Sequence, residues 1–92
     1  MDLAVINNED ANRFEMMVDG CLALIEYKVE GKIMTLIHTN VPKKLEGRGL
    51  GSKIANFALE YAKNNGLKVI PQCPFVRSYI ERHNEHQELV FE

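Results

Sequence analysis

The chain has 92 residues and a mass of 10.5 kDa, which suits one domain over residues 1–92 and excludes a two-half dinucleotide-binding fold, a (β/α)8 barrel of roughly 250 residues or a protein kinase. Hydrophobic residues make up 46% and charged residues 26%, an ordinary globular balance that excludes a disordered chain. The formal net charge of -2 argues against coating a nucleic acid, and no apolar run approaches the roughly 18 residues of a membrane span.

The N-terminus is acidic, with Asp2, Glu9 and Asp10, and lacks the basic start of a secretory signal. A cytoplasmic location is therefore expected, with Cys21 and Cys73 reduced rather than paired.

Leu3 to Asn7 reads as a short edge strand. Asp19-Gly20 is a two-residue hairpin signal, because a type I′ turn needs positive φ at both central positions. It pairs Val18 with Cys21, Met16 with Ala23 and Phe14 with Ile25. All six are apolar and share one face, which is the expected core face. On the other face the same register sets Arg13 opposite Glu26, an expected cross-strand charge pair. Glu30-Gly31-Lys32 is a second turn, leading into a β-rich run from Ile33 to Thr39. The length of that turn decides whether His38 points in or out, and the sequence leaves both open.

From Leu50 to Asn65 the period becomes helical. Leu50, Ile54, Phe57, Ala58, Tyr61 and Ala62 form one stripe, and Asn65-Gly66 supplies a left-handed stop. Leu67 to Ile70 is a short buried strand. Phe75, Val76, Tyr79, Ile80 and His83 form a second amphipathic stripe. The tail beyond Asn84 is not expected to be helical, and Leu89-Val90-Phe91 suits a last short strand. His83 and His86, with Glu85 and Glu88, do not make a metal site, so none is expected.

Chemistry concentrates in Leu45-Glu46-Gly47-Arg48-Gly49-Leu50-Gly51-Ser52-Lys53, between a strand and a helix. Glycines let the backbone approach a ligand closely, and the free N–H groups of a helix start favour phosphate. Residues 43–53 carry four positive charges and one negative, a local excess of +3 that leaves -5 for the rest of a chain whose total is -2. A Walker A loop requires G-x-x-x-x-G-K-[ST], which is absent. The dinucleotide fingerprint G-x-G-x-x-G is also unmet, since the spacing here is G-x-G-x-G. Two readings stay open on the residues alone: an anion-binding loop, or a tight strand-to-helix turn that binds nothing.

Cys73 precedes Pro74, which pushes it to extended angles and suits the first helical position. A thiol at such an N-cap gains thiolate character and suits a nucleophile; a buried inert cysteine is the alternative. His38 suits a general base or a strand-end histidine with a satisfied hydrogen bond.

The segment Glu46-Gly47-Arg48-Gly49-Leu50-Gly51 is similar to the R/Q-x-x-G-x-G/A acyl-coenzyme-A-binding motif of the GNAT N-acetyltransferase superfamily, with Glu46 where Arg or Gln is usual. His38-Thr39-Asn40-Val41-Pro42 and Pro71-Gln72-Cys73-Pro74-Phe75 extend the resemblance to a short single-domain GNAT-like subfamily, in which the position of Asn40 is often Glu. The likeness runs from about Ile33 to His83. It implies an α+β fold in reduced form: a mixed, mostly antiparallel sheet of about five strands with two helices.

The resemblance also implies acetyl-coenzyme A as cosubstrate. Backbone amides from Arg48 to Lys53, with Gly47, Gly49, Leu50, Gly51 and Ser52, would hold its pyrophosphate, and Thr39 to Val41 would meet its pantetheine arm. Lys43, Lys44, Lys53 or Arg77 would meet the 3′-phosphate or stay solvated. Cys73 falls near the acyl group, and Tyr79 would either protonate the departing thiolate or serve the core. The expected activity is acetyl transfer to an unidentified amine, with a coenzyme-binding or sensing module and a purely structural loop as the alternatives. The helices that usually follow the first strand have no room between Asn7 and Asn12, so an open acceptor face is expected, suited to a protein or completed by a partner chain. A monomer or weak homodimer is expected.

Overall fold

A computed structural model describes residues 4–91. Five strands form one sheet in the order of the sequence: β1 (Ile6–Asn8), β2 (Arg13–Val18), β3 (Cys21–Glu30), β4 (Ile33–Asn40) and β5 (Lys68–Pro71). The first four are antiparallel neighbours, and β5 joins β4 in parallel through the crossover helix α1 (Leu50–Asn64). A second helix, α2 (Pro74–Arg82), lies beside α1 and contacts β4 and β5. The reduced α+β architecture expected from the sequence is the one observed. Leu3 lies outside the described residues, and the edge strand runs from Ile6 to Asn8.

The hairpin register is the expected one. Val18 opposes Cys21, Met16 opposes Ala23 and Phe14 opposes Ile25, and both turn residues are left-handed, Asp19 at φ 51° and Gly20 at φ 76°. The expected ion pair differs. Arg13 does oppose Glu26, but its Nε bonds Glu15 Oε2 at 2.6 Å. Residues two apart on a strand share a face, so the neighbour along β2 competes with the one across the ladder.

One sheet face carries the core. Phe14, Met16, Ala23, Ile25, Met34, Leu36 and Val69 are buried there beneath Ile54, Ala58 and Ala62 of α1. The ring of Phe14 is the centre, 4.6 Å from Tyr27, 5.4 Å from Tyr61 and 5.7 Å from Phe57. Such tilted and edge contacts add to simple area burial. At the far end of α1 the amides of Gly66 and Leu67 return to Lys63 O and Ala62 O, the paired bonds of a Schellman stop.

The tail departs from expectation. Asn84–Leu89 is a 3₁₀ helix, and only Val90 bridges to β5, at Val69. The segment buries His86 and Leu89, which gives it more apolar contact than a solvated strand at the sheet edge would have. His83 Nδ1 meets Tyr79 O at 2.8 Å, and the Tyr79 and His83 rings stack at 4.0 Å. His86 is 2% exposed, and among the described residues its Nε2 has no hydrogen-bond partner. Among the described residues no three His, Cys, Asp or Glu side chains converge on a metal-sized site, and no helix is long and apolar enough to cross a membrane.

Two substitutions test this core by urea unfolding. Phe14→Ala removes the ring at the centre of the cluster and lowers stability by about 3–5 kcal/mol. His86→Leu removes a buried unpaired nitrogen while keeping the volume, and raises stability by about 1 kcal/mol; a fall instead means that Nε2 has a partner.

Candidate active site

The site begins with a bulge. Tyr27 opposes Leu36 but Glu26 opposes His38, so Ile37 is the extra residue of β4. One added residue reverses the alternation of side chains beyond it. Thr39 now opposes Ile25 and lies on the helix-bearing face, while His38 opposes Glu26 on the other. The question the sequence left open is thus decided outward: His38 is exposed.

The same region is where β4 and β5 part. Their pairing ends at Leu36 and Pro71, yet β4 continues to Asn40. Cys73 N still reaches Leu36 O at 3.0 Å, and then Pro74 opens α2 with Cys73 as its N-cap. The ends of the two strands therefore flank a wedge, with Thr39 on one side and Cys73 on the other. The Thr39 hydroxyl lies 3.1 Å from Cys73 Sγ.

Burial pushes the Cys73 thiol up, but the Thr39 hydroxyl and the backbone amides of Val76, Phe75 and Thr39 outweigh it, and the net displacement is below the ordinary cysteine value. Hydrogen bonds to the charged form favour the thiolate. The direction follows from the fold: two of those amides belong to the first turn of α2, the positive end of its dipole. Cys73 is only 5% exposed and Cys21 is partly exposed; both are free thiols.

The glycine loop lies at the other end of the site. Gly47 and Gly49 are left-handed, at φ 85° and 72°, and Gly49 is the N-cap of α1. Among the described residues no side chain caps this helix, and no acid stands in its first turn. The amides of Leu50, Gly51 and Ser52 have no intrahelical acceptor, so the positive end of α1 is left for an anion. Gly51 is needed for a different reason. A Cβ there would meet Phe75 Cζ at 2.8 Å, so α1 and α2 touch through this position. Arg48 reaches back to Asp19 at 2.9 Å; both are well exposed, so the pair orients the loop more than it stabilises the fold.

Two cavities join these ends. One of about 220 Å3 is lined by Leu45, Glu46, Gly47, Gly49, Leu50, Gly51 and Ser52. The other, of about 550 Å3, is lined by His38, Thr39, Asn40, Cys73 and Pro74. Val41, Glu46 and Phe75 line both, so the cavities adjoin as one groove, with two apolar side chains and one carboxylate at the neck. The residues singled out in the sequence divide accordingly. Gly47, Gly49, Leu50, Gly51 and Ser52 lie at the loop end, His38, Thr39 and Cys73 at the wedge, and Val41 at the neck. Arg48 and Lys53 line neither cavity. Tyr79 also lines neither: it is 5% exposed, and its hydroxyl faces Asn56 Oδ1 at 3.5 Å. Burial, with Glu85 and Glu60 nearby, holds its phenol above the ordinary range, which keeps it protonated.

Sequence reasoning assigned Phe75 only to a helix stripe and did not foresee the Thr39–Cys73 contact. The pairing of Gly51 with Phe75 had a weak signal, a glycine inside a helical pattern. The bulge had none.

The model of the family described as GCN5-related N-acetyl-transferase matches residues 13–89. Protein NATD1 of Mus musculus is 29% identical over 84 residues, covering 88% of this chain and 76% of its own; the Homo sapiens protein of that name is likewise 29% identical, with 74% of its length covered. A solution structure of a GCN5-like putative N-acetyltransferase from Staphylococcus aureus superposes with a TM-score of 0.76 at 30% identity, over 97% of this chain and 88% of that one. With a wedge between parted strands, a glycine loop at a bare helix start and a family match across most of its length, this chain belongs to the GCN5-related N-acetyltransferase family.

Proposed function

We propose that the chain binds acetyl-coenzyme A along the joined groove and transfers the acetyl group to an amine. The observation that carries this is the continuity of the groove from the uncapped start of α1 to the Thr39–Cys73 pair. Residues at the loop end fit a pyrophosphate: left-handed glycines carry no Cβ to crowd a ligand, and no carboxylate occupies the first turn of α1. The neck of Val41 and Phe75 fits a narrow, partly apolar arm. The end of β4, unpaired with β5 beyond Leu36, offers backbone groups to an amide-bearing chain as a further strand would.

Bound acetyl-coenzyme A supplies an activated acyl carbonyl; the protein supplies position, dipoles and a route for protons. Backbone N–H groups at the wedge polarise a carbonyl placed beside the Thr39–Cys73 pair. Cys73, with its thiolate favoured, is equipped to take the acyl group and pass it on. A direct attack by the amine needs Cys73 only as a wall. Glu46 is the residue that fits least, since it brings a negative charge to a groove meant for an anion.

A second reading, a coenzyme-binding module without turnover, is favoured by one observation. Among the described residues Cys73 has Thr39 as its side-chain partner and no histidine or carboxylate. Incubation with radiolabelled acetyl-coenzyme A separates the readings. Label on Cys73, absent from Cys73→Ala, gives the covalent route; transfer to amines without label on the protein gives direct attack; binding with neither gives the module.

Three outcomes follow for binding and for the thiol. On titration with acetyl-coenzyme A, the amide resonances of residues 48–53 shift, and Gly49→Val, which forces a branched side chain into a left-handed position at a cost of about 1–2 kcal/mol, weakens binding about tenfold; no shift at millimolar ligand refutes the reading. Glu46→Gln tightens binding several-fold at low salt, and the gain shrinks as salt screens the removed repulsion. Alkylation of Cys73 against pH has its midpoint below the ordinary thiol value of about 8.5, and Thr39→Val, by removing a donor to the thiolate, moves that midpoint up.

A further inference from the structure

A third cavity lies away from the groove. It holds about 360 Å3, within the range of small-ligand sites, and shares no lining residue with either part of the groove. Three elements build it. Tyr61 of α1 and the C-cap Asn65 are four residues apart and share a helix face. Tyr27 and Val29 alternate onto the helix-bearing face of β3. Glu9 and Asn12 bound the turn between β1 and β2. That turn is fixed by the backbone. Asn8 accepts the Ala11 amide on both its carbonyl and its Oδ1, each at 3.2 Å. Asn12 takes the left-handed region at φ 55°, which asparagine tolerates, and its carbonyl receives the Tyr27 amide at 2.9 Å.

The electrostatics of this cavity are one-sided. No Lys or Arg lines it, and Glu9 enters none of the ion pairs among the described residues. Arg13 and Lys28, on the flanking strands, point to the other sheet face and pair there with Glu15 and Glu30; Lys68 turns to the Glu88 carbonyl at 2.7 Å. Burial, then Tyr61 and Glu9, lift the Tyr27 phenol above its ordinary range against the Asn7 hydrogen bond, and no cation offsets them. The C-terminal end of α1 adds the negative end of its dipole. The Tyr27 hydroxyl donates to Asn7 Oδ1 at 2.6 Å and that of Tyr79 faces Asn56, whereas among the described residues the Tyr61 hydroxyl has no partner. Val29 and Leu67 supply an apolar wall, and Val29 is 43% exposed.

We propose that this cavity binds a small primary alkylammonium ion, with the ammonium at Glu9, Asn12 and the Tyr61 hydroxyl and the alkyl stem against Val29 and Leu67. Each feature selects. An anion meets Glu9 and the negative helix end with no cation to compensate. A neutral alcohol gains the apolar wall alone. A quaternary head has no N–H to donate to the oxygens of Glu9, Asn12 and Tyr61. A divalent metal lacks ligands, since among the described residues no three His, Cys, Asp or Glu side chains converge.

The site is separate from the acetyl-coenzyme A reading. Neither Thr39 nor Cys73 lines it, so an amine bound here is not poised at the wedge. Its occupancy is a binding event of its own, with no bond made or broken, and it stands whether or not the chain transfers acetyl groups.

The probe is butylammonium chloride, compared with 1-pentanol and tetramethylammonium chloride by amide resonances at neutral pH. Butylammonium shifts Glu9, Asn12, Val29 and Leu67 with a dissociation constant on the order of 1 mM, as suits so few non-hydrogen atoms, and added salt weakens it. Pentanol leaves these resonances in place, and tetramethylammonium binds several-fold more weakly. Glu9→Gln weakens butylammonium about tenfold and Tyr61→Phe several-fold. Glu60→Gln, which removes an exposed carboxylate of α1 outside the cavity, leaves the affinity as it was. Acetyl-coenzyme A titrates unchanged in all three variants. The proposal is overturned if butylammonium shifts fall elsewhere or are absent at tens of millimolar, if pentanol or tetramethylammonium moves the same amides equally, or if Glu9→Gln binds as well as the parent. Failure of coenzyme binding leaves this inference standing, and failure here leaves the coenzyme reading standing.

Discussion

One extra residue in β4 sets the geometry on which the site depends. Without Ile37 in the bulge, strict alternation would put His38 on the core side and Thr39 on the other. With it, the Thr39 hydroxyl meets Cys73 Sγ and His38 faces out across the sheet. The bulge also coincides with the end of β4–β5 pairing at Leu36. A strand that bends and twists at a bulge leaves its parallel neighbour, and the space between them becomes the wedge. The placement of both candidate groups beside the cavity follows from the same local irregularity.

The helices complete the groove by what they lack. α1 begins without a side-chain cap and without an acid, an arrangement that is poor for an isolated helix and apt for holding an anion. α2 begins with Cys73 at its N-cap, so its first amides serve a sulfur where an oxygen would be more usual. The two helix starts thus face one groove, one supplying dipole and donors at the loop end and the other at the wedge. Gly51 lets them approach, because any Cβ there would displace Phe75 from the neck. The core beneath is small, and Phe14 with its three aromatic neighbours fixes how α1 lies on β2 and β3.

Much of this was legible in the chain. The Asp19-Gly20 turn carried its own register, since one pairing placed Phe14, Met16 and Val18 on the same face as Ile25, Ala23 and Cys21. The glycine loop and the Asn65-Gly66 stop bounded α1, and Pro74 marked the start of α2. What was not legible involved choices between near-equal local options. Arg13 has two carboxylates within reach, and only the folded backbone selects Glu15. The strand expected at Leu89-Val90-Phe91 is reduced to a single bridge at Val90, because the chain up to Leu89 turns as a 3₁₀ helix that buries His86 and Leu89. Tyr79 carries a stripe position compatible with a site or a core, and packing against His83 and Asn56 put it away from both cavities. The bulge left no sequence trace, because no glycine or proline marks Ile37.

The central claim is that the groove carries the acetyl end of the coenzyme to the wedge between β4 and β5. Isotope-filtered NOEs from a 13C-labelled acetyl methyl group of bound acetyl-coenzyme A test it most directly. The account predicts contacts from that methyl to the side chains of Thr39 and Cys73, with the pantetheine protons touching Val41 and Phe75. Contacts confined to other surfaces, or a bound acetyl group with none to Thr39 or Cys73, contradict it.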